Sequence, residues 1–138
     1  MRLMKSWLRI LVVDDDPLLK DVLSAALSEL VEAQVWATGN GEEAISLACE
    51  HQPDLVLLDL DLPGLSGLEV CERLAQTVAG RRLRVWIMTG VELEGDTVAR
   101  LRHYSERIVF KPVDFAELIH DIEALGLPQR PSLELLSE

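Results

Sequence analysis

Cysteine is scarce. Cys49 and Cys71 are the only two in 138 residues, and nothing about them implies an oxidising compartment. Each sits among apolar neighbours at helical spacing, Cys49 beside Ile45 and Ala48, Cys71 beside Leu68 and Leu74, so both are expected in the core. A chain of this length can hide roughly two-thirds of its unfolded surface and needs no disulfide or metal staple to fold. Basic residues are also few: 13 against 24 acidic ones, for a formal net charge of -11 and a pI near 4.6. That balance excludes a general hold on nucleic acid or an anionic membrane. It suits a soluble protein that meets a basic partner or a metal ion. Long apolar runs are missing, so no segment is expected to cross a bilayer. Arg2, Lys5 and Arg9 precede an apolar run at 10–13 that briefly looks like a signal peptide, but Asp14 ends it and no small-residue cleavage site follows. The protein is therefore expected in the cytoplasm. No internal repeat and no second domain are visible.

What is present is a globular composition, 49% hydrophobic and 27% charged, organised around PDLVLLDLDLPGLSG at 53–67. Residues 55–58 form a continuous apolar run, which in so short a segment reads as a strand covered on both faces. The run stops at Asp59, continues through Leu60, Asp61 and Leu62, and breaks at Pro63 and Gly64. A strand end is where a carboxylate on a buried parallel sheet can still meet water, so Asp59 is expected to be presented there.

Strands are expected at 9–13, 34–37, 55–58, 84–88 and 107–110, with helices at 17–31, 42–50, 68–78, 97–104 and 114–125. Pro17 suits the first turn of the first helix with Asp16 as its N-cap, and Gly126 closes the last. An acidic loop, 92–96, precedes the fourth helix. Five strand-helix units in alternation call for a parallel sheet with helices on both faces, because each parallel crossover needs a helix. The organisation expected is an extension at 1–8, one α/β domain at 9–126, and a linker or tail at 127–138.

Four strands end on residues with chemistry available: Asp14 and Asp15, Asp59, Thr89, and Lys111. In a parallel sheet these ends lie along one edge, where ligands bind. Two carboxylates ~4 Å apart repel by about 4 kcal/mol at an effective dielectric near 20. Asp14, Asp15 and Asp59 together therefore require either a raised pKa or a cation. An oxygen-only ligand set in a small hydrated site favours Mg²⁺. Lys111 adds a fixed positive charge and Thr89 a hydroxyl, so the group forms a holder for a tetrahedral anion with Asp59 as nucleophile.

LVVDDD, PDLVLLDLDLPGLSG, WIMTG and VFKP in this order, with 44, 30 and 22 residues separating Asp15, Asp59, Thr89 and Lys111, resemble a response-regulator receiver domain of the CheY-like type used in two-component signalling. The resemblance covers residues 9 to about 126. It implies a flavodoxin-like, doubly wound fold: a five-stranded parallel sheet flanked by five helices. It implies that Asp59 takes a phosphoryl group from the phosphohistidine of a sensor histidine kinase or histidine phosphotransfer protein. By the same resemblance Asp15 and Asp59 bind Mg²⁺ directly, the backbone carbonyl of Asp61 completes the protein ligands, and Asp14 acts through water. Lys111 pairs with the phosphoryl oxygens. Thr89 carries the signal to the surface of the fourth helix, fifth strand and fifth helix, which is also where a homodimer is expected. Such a domain catalyses only its own phosphorylation and dephosphorylation.

Two positions depart from the pattern. Ile108 stands where the family usually has an aromatic residue that rotates with Thr89, and a branched aliphatic cannot swing a ring. Phe110 should point the same way but lies next to the site lysine and is a poor substitute. Asp61 carries an ionisable side chain expected at the site entrance, where it would influence hydrolysis of the acyl phosphate. The alternative is a haloacid-dehalogenase-like phosphatase, whose Asp-x-Asp motif LVLLDLDLP also fits, with Asp61 as general acid. That family usually begins with this motif, whereas here an acidic pair and two strand-helix units precede it and no cap domain has room. A phosphorylation-independent binding module of the same fold is disfavoured by the intact Asp59, Thr89 and Lys111. The remaining polar and aromatic positions read blandly: His51, His103 and His120 as solvated, Trp7, Trp36 and Trp86 as packing residues.

Overall fold

The computed structural model describes residues 8–77 and 83–126. Five strands and five helices alternate: β1 Arg9–Val13, α1 Pro17–Leu30, β2 Gln34–Thr38, α2 Gly41–His51, β3 Leu55–Asp59, α3 Gly67–Ala75, β4 Arg84–Thr89, α4 Gly95–Tyr104, β5 Arg107–Phe110 and α5 Phe115–Glu123. All strand pairs are parallel and the order across the sheet is β2-β1-β3-β4-β5. This is the expected doubly wound α/β architecture. The strand order reverses between β1 and β3, and the crevice at that switch point is where such sheets bind ligands.

The central strands are apolar on both faces because both are covered. Ile10, Val12, Leu55, Leu57, Trp86 and Met88 meet Leu23 and Leu27 of α1 and Leu118, Ile119 and Ile122 of α5. Leu11, Val13, Val56, Leu58, Val85 and Ile87 point the other way, toward Ala44 and Ala48 of α2, Val70 and Leu74 of α3, and Leu101 of α4. The split follows the two-residue period of a strand. Each Leu or Ile so buried contributes roughly 1.5–3 kcal/mol, and β3, LVLLD, is buried along its whole length.

Local signals set the helix starts. Asp16 accepts hydrogen bonds from the backbone of Leu18 and Leu19, with Pro17 in the first turn. Asn40 and Asp114 cap α2 and α5, and Ser66 forms a capping box with Glu69 at α3. Gly126 follows α5 at a φ of 77°, a conformation that glycine adopts without steric cost. At α4 the N-cap is Glu94, without a side-chain cap. The helix begins at Gly95, so Asp96 belongs to its first turn and not to the preceding acidic loop. The third helix ends at Ala75, earlier than its apolar spacing suggests, with Gln76 as C-cap. The end of that expectation, residue 78, lies outside the described residues, as do Trp7, residues 1–7 of the expected 1–8 extension, and the tail 127–138; Leu8 is described and buried in the core.

Three side-chain expectations change. Cys71 is buried, but Cys49 is exposed. α2 packs on the sheet through Ala44 and Ala48, and position 49 lies about 100° round the helix from Ala48. In α1 only Leu23 and Leu27 are buried, whereas Leu18, Val22 and Leu30 are exposed, so the buried stripe is narrower than the apolar run. His51 is half-buried and not simply solvated: its ring stacks on Trp36 at 4.3 Å and 15°. Trp86 is a core residue, as expected.

Candidate phosphoacceptor and metal site

Strand ends supply the site. Asp14 follows β1, Asp59 ends β3, Thr89 ends β4, and Lys111 follows β5. Backbone bonds continue each strand pairing one step beyond the ladder: Asp14 N–H donates to Thr38 C=O at 3.0 Å, Leu60 N–H to Met88 C=O at 2.9 Å, and Lys111 N–H to Thr89 C=O at 2.7 Å. The crossover order thus sets residues 97 positions apart side by side. The Lys111 ammonium donates to Asp14 Oδ2 at 2.9 Å and lies 3.4 Å from Asp59 Oδ1.

One carboxylate oxygen each from Asp14, Asp15 and Asp59 falls within 4.8 Å of the others. Asp14 is fully buried and Asp59 only 4% exposed, whereas Asp15 faces solvent. Asp59 is therefore less open to water than a strand-end position suggests, because neighbouring strand ends and the Lys111 side chain stand around it. Burial pushes its pKa from an ordinary 3.8 up to about 6, and the Asp14 charge pushes the same way. The Lys111 charge and a 3.3 Å hydrogen bond from the Asp61 N–H pull it down without cancelling the rise. For Lys111, burial lowers the pKa, but the Asp14 hydrogen bond and the two carboxylate charges outweigh it and hold the ammonium protonated above the usual lysine range.

The other residues singled out from the sequence take different places. Thr89 is buried and its hydroxyl accepts from the Val91 N–H at 3.3 Å. Asp61 contributes its N–H to Asp59, while its side chain is exposed and outside the three-carboxylate group. Ile108 packs against the α2-α3-α4 side of the sheet, and Phe110 is 62% exposed opposite Thr89. Two glycines let backbone segments approach the site closely. A Cβ at Gly67 would lie 2.7 Å from both Asp59 C=O oxygen and Leu60 Cα, so only glycine lets α3 start against the strand end. A Cβ at Gly39 would lie 3.2 Å from Asp15 Cα. Its position just past a strand end on the ligand-binding edge was the available signal.

Three clustered carboxylates offering only oxygen fit a hard divalent cation. With the Lys111 ammonium beside two of them, the acidic pocket is consistent with a phosphoacceptor site. The family model for the response regulator receiver domain matches residues 10–123. The chain belongs to the response-regulator receiver family. This places it among signalling modules and not among enzymes, and removes the phosphatase alternative.

Among relatives of this receiver domain, PilH of Pseudomonas aeruginosa is 35% identical over 117 residues, covering 85% of this chain and 96% of that protein. The DNA-binding dual master transcriptional regulator RpaA of Synechocystis is 32% identical over 117 residues, covering 85% of this chain but 48% of that protein. The chain thus spans about half the length of some curated relatives and nearly all of others. A CheY-like receiver domain structure from Methanospirillum hungatei has a TM-score of 0.77 and 26% identity, covering 87% of this chain and 94% of that one. Chemotaxis protein CheY4 of Vibrio cholerae, at 18% identity, shares the fold with a TM-score of 0.78, covering 86% and 98% of the two chains. No helix among the described residues is long and apolar enough to cross a membrane.

Proposed function

We propose that this receiver domain, residues 9–126, is a phospho-accepting switch in which Asp59 takes a phosphoryl group from a phosphohistidine donor. The donor is a sensor histidine kinase or a histidine phosphotransfer protein, and the reaction depends on Mg²⁺. The observation that carries the reading is the Asp59 carboxylate held 3.4 Å from the Lys111 ammonium and clustered with Asp14 and Asp15. One Asp59 oxygen forms the new O–P bond while the P–N bond to the donor imidazole breaks, its electron pair remaining on nitrogen. Asp15, Asp59 and the Asp61 carbonyl would hold Mg²⁺, with Asp14 acting through water, and the bound ion would supply charge neutralisation for the phosphoryl oxygens. Lys111 pairs with the same oxygens after transfer.

Thr89 senses the added group and passes the change to the face formed by α4, β5 and α5, through which two copies pair. With Ile108 in place of an aromatic residue, that coupling runs without ring rotation at position 108. The protein works in the cytoplasm. The parts 1–8 and 127–138 act as an extension and as a linker or tail, and the chain itself does not hold nucleic acid.

The test is a single-round labelling reaction with acetyl phosphate and Mg²⁺, read by intact-mass spectrometry. One phosphoryl group is expected, lost in Asp59→Asn and lost on chelation. Labelling that survives Asp59→Asn overturns the assignment.

A further inference from the structure

Asn40 is the only asparagine of the chain, and glycine follows it. An asparagine before glycine is chemically labile, because glycine has no Cβ to hinder attack of its backbone nitrogen on the asparagine side chain. Packing explains why the pair stands here. Asn40 caps α2, its side-chain oxygen accepting from the Glu43 N–H at 2.9 Å. A Cβ at Gly41 would lie 2.9 Å from Val70 Cγ2 and 3.0 Å from Leu65 Cβ, so α2 meets the start of α3 only through glycine. The same contacts hold the pair still. The Asn40 N–H donates to Thr38 Oγ1 at 3.1 Å, and its carbonyl accepts from the Ala44 N–H at 3.0 Å. With ψ at 128°, the Gly41 nitrogen is turned away from the side of the backbone that carries Asn40 Cβ, and ring closure needs both on one side.

We infer that Asn40 is a modification site gated by the first turn of α2: the closed turn protects its side-chain amide, and opening of the turn releases its hydrolysis. In the open state the Gly41 nitrogen loses its proton to solvent base and attacks Asn40 Cγ. The N–Cγ bond forms, the Cγ–Nδ2 bond breaks, and ammonia leaves after taking a proton from water. Water then opens the cyclic imide at either carbonyl, leaving aspartate or isoaspartate, with no change of oxidation state. The aspartate product keeps the cap and adds a charge favourable at a helix N-terminus. The isoaspartate product lengthens the backbone by one methylene. The loop before it has little slack, because a Cβ at Gly39 would lie 3.2 Å from Asp15 Cα and the Asp14 N–H donates to Thr38 C=O at 3.0 Å. Isoaspartate therefore displaces the backbone that carries Asp14 and Asp15.

The experiment incubates the full chain at mildly alkaline pH, with and without denaturing urea, and reads position 40 by peptide-mapping mass spectrometry with isoaspartate detection. Asn40 should convert about tenfold or more slowly in the folded protein than in urea. Two variants separate the turn from the whole fold. Val70→Ala makes room beside Gly41, whereas Ile122→Val loosens α5 on the opposite face of the sheet. Where both stay folded, Val70→Ala should raise the rate about threefold or more and Ile122→Val should leave it unchanged. Amide hydrogen exchange at Glu43 and Ala44, both bonded to Asn40, covers the case in which Val70→Ala does not fold. Their protection in the wild type should match the slowing at Asn40 within about tenfold. Equal rates in the folded and urea-unfolded protein overturn the inference. So do equal effects of the two variants, or a larger mismatch between exchange protection and slowing. None of these readouts involves phosphoryl transfer, so each leaves the phosphoacceptor assignment standing.

Discussion

Replacing Asp59 by asparagine should make the cation-free protein more stable at neutral pH, the reverse of what loss of a site residue ordinarily does. Burial and the Asp14 charge raise the Asp59 pKa from 3.8 to about 6 in the folded state. A carboxyl with a raised folded pKa favours folding while neutral: its contribution is full below pH 3.8 and is lost as pH climbs through about 6. The difference corresponds to about 3 kcal/mol above pH 7. The side chain is only 5% exposed, so solvent screening takes little from this figure. The asparagine side chain keeps the shape and an oxygen for the Asp61 N–H and Lys111, without the charge. Asp59→Asn should therefore exceed the wild type by up to about 3 kcal/mol at pH 8, roughly 10 °C in Tm for a domain of this size, and match it near pH 4. Thermal and urea melts in chelator across that range make the measurement. Added Mg²⁺ should close part of the gap by stabilising only the wild type. A variant no more stable than the wild type at pH 8 in chelator refutes the reasoning, because Asp59 would then carry no net electrostatic cost.

Asp61→Asn leaves the N–H that holds Asp59 and the fold unchanged while removing an exposed charge beside the site. The lifetime of the acyl phosphate, followed by mass spectrometry after donor removal, is expected to change with Tm constant; an unaltered lifetime removes the role given to Asp61. Gly67→Ala places a methyl 2.7 Å from the backbone carrying Asp59. The shift should cost about 1–3 kcal/mol and slow labelling by acetyl phosphate. A variant with wild-type melting and labelling would show that the strand end yields freely.

Much of the chain was legible before folding, and the reason is local. Apolar runs as short as 55–58, closed by a polar residue and a turn, can satisfy water only as covered strands. Asp16 before Pro17 announces a helix start through bonds made within three residues. Where the determinants are distant, sequence reading fell short. Cys49 has apolar neighbours like those of Cys71, yet one faces solvent, because which arc of α2 touches the sheet depends on Ala44 and Ala48 docking on the face that carries Leu11 and Val13. Likewise Trp36 and His51 meet only after α2 has returned along β2.

The residue types of the site, their order and their places at strand ends were set by the sequence alone. They suffice to say that acidic groups, a hydroxyl and a lysine gather on one edge. Only the tertiary structure decided their division of labour. Asp14 is sealed and paired with Lys111 while Asp15 faces water, and Asp59 is pushed toward neutrality. Those properties depend on how much water each carboxylate loses and which charge comes to rest beside it. The packing of strands far apart along the chain sets both.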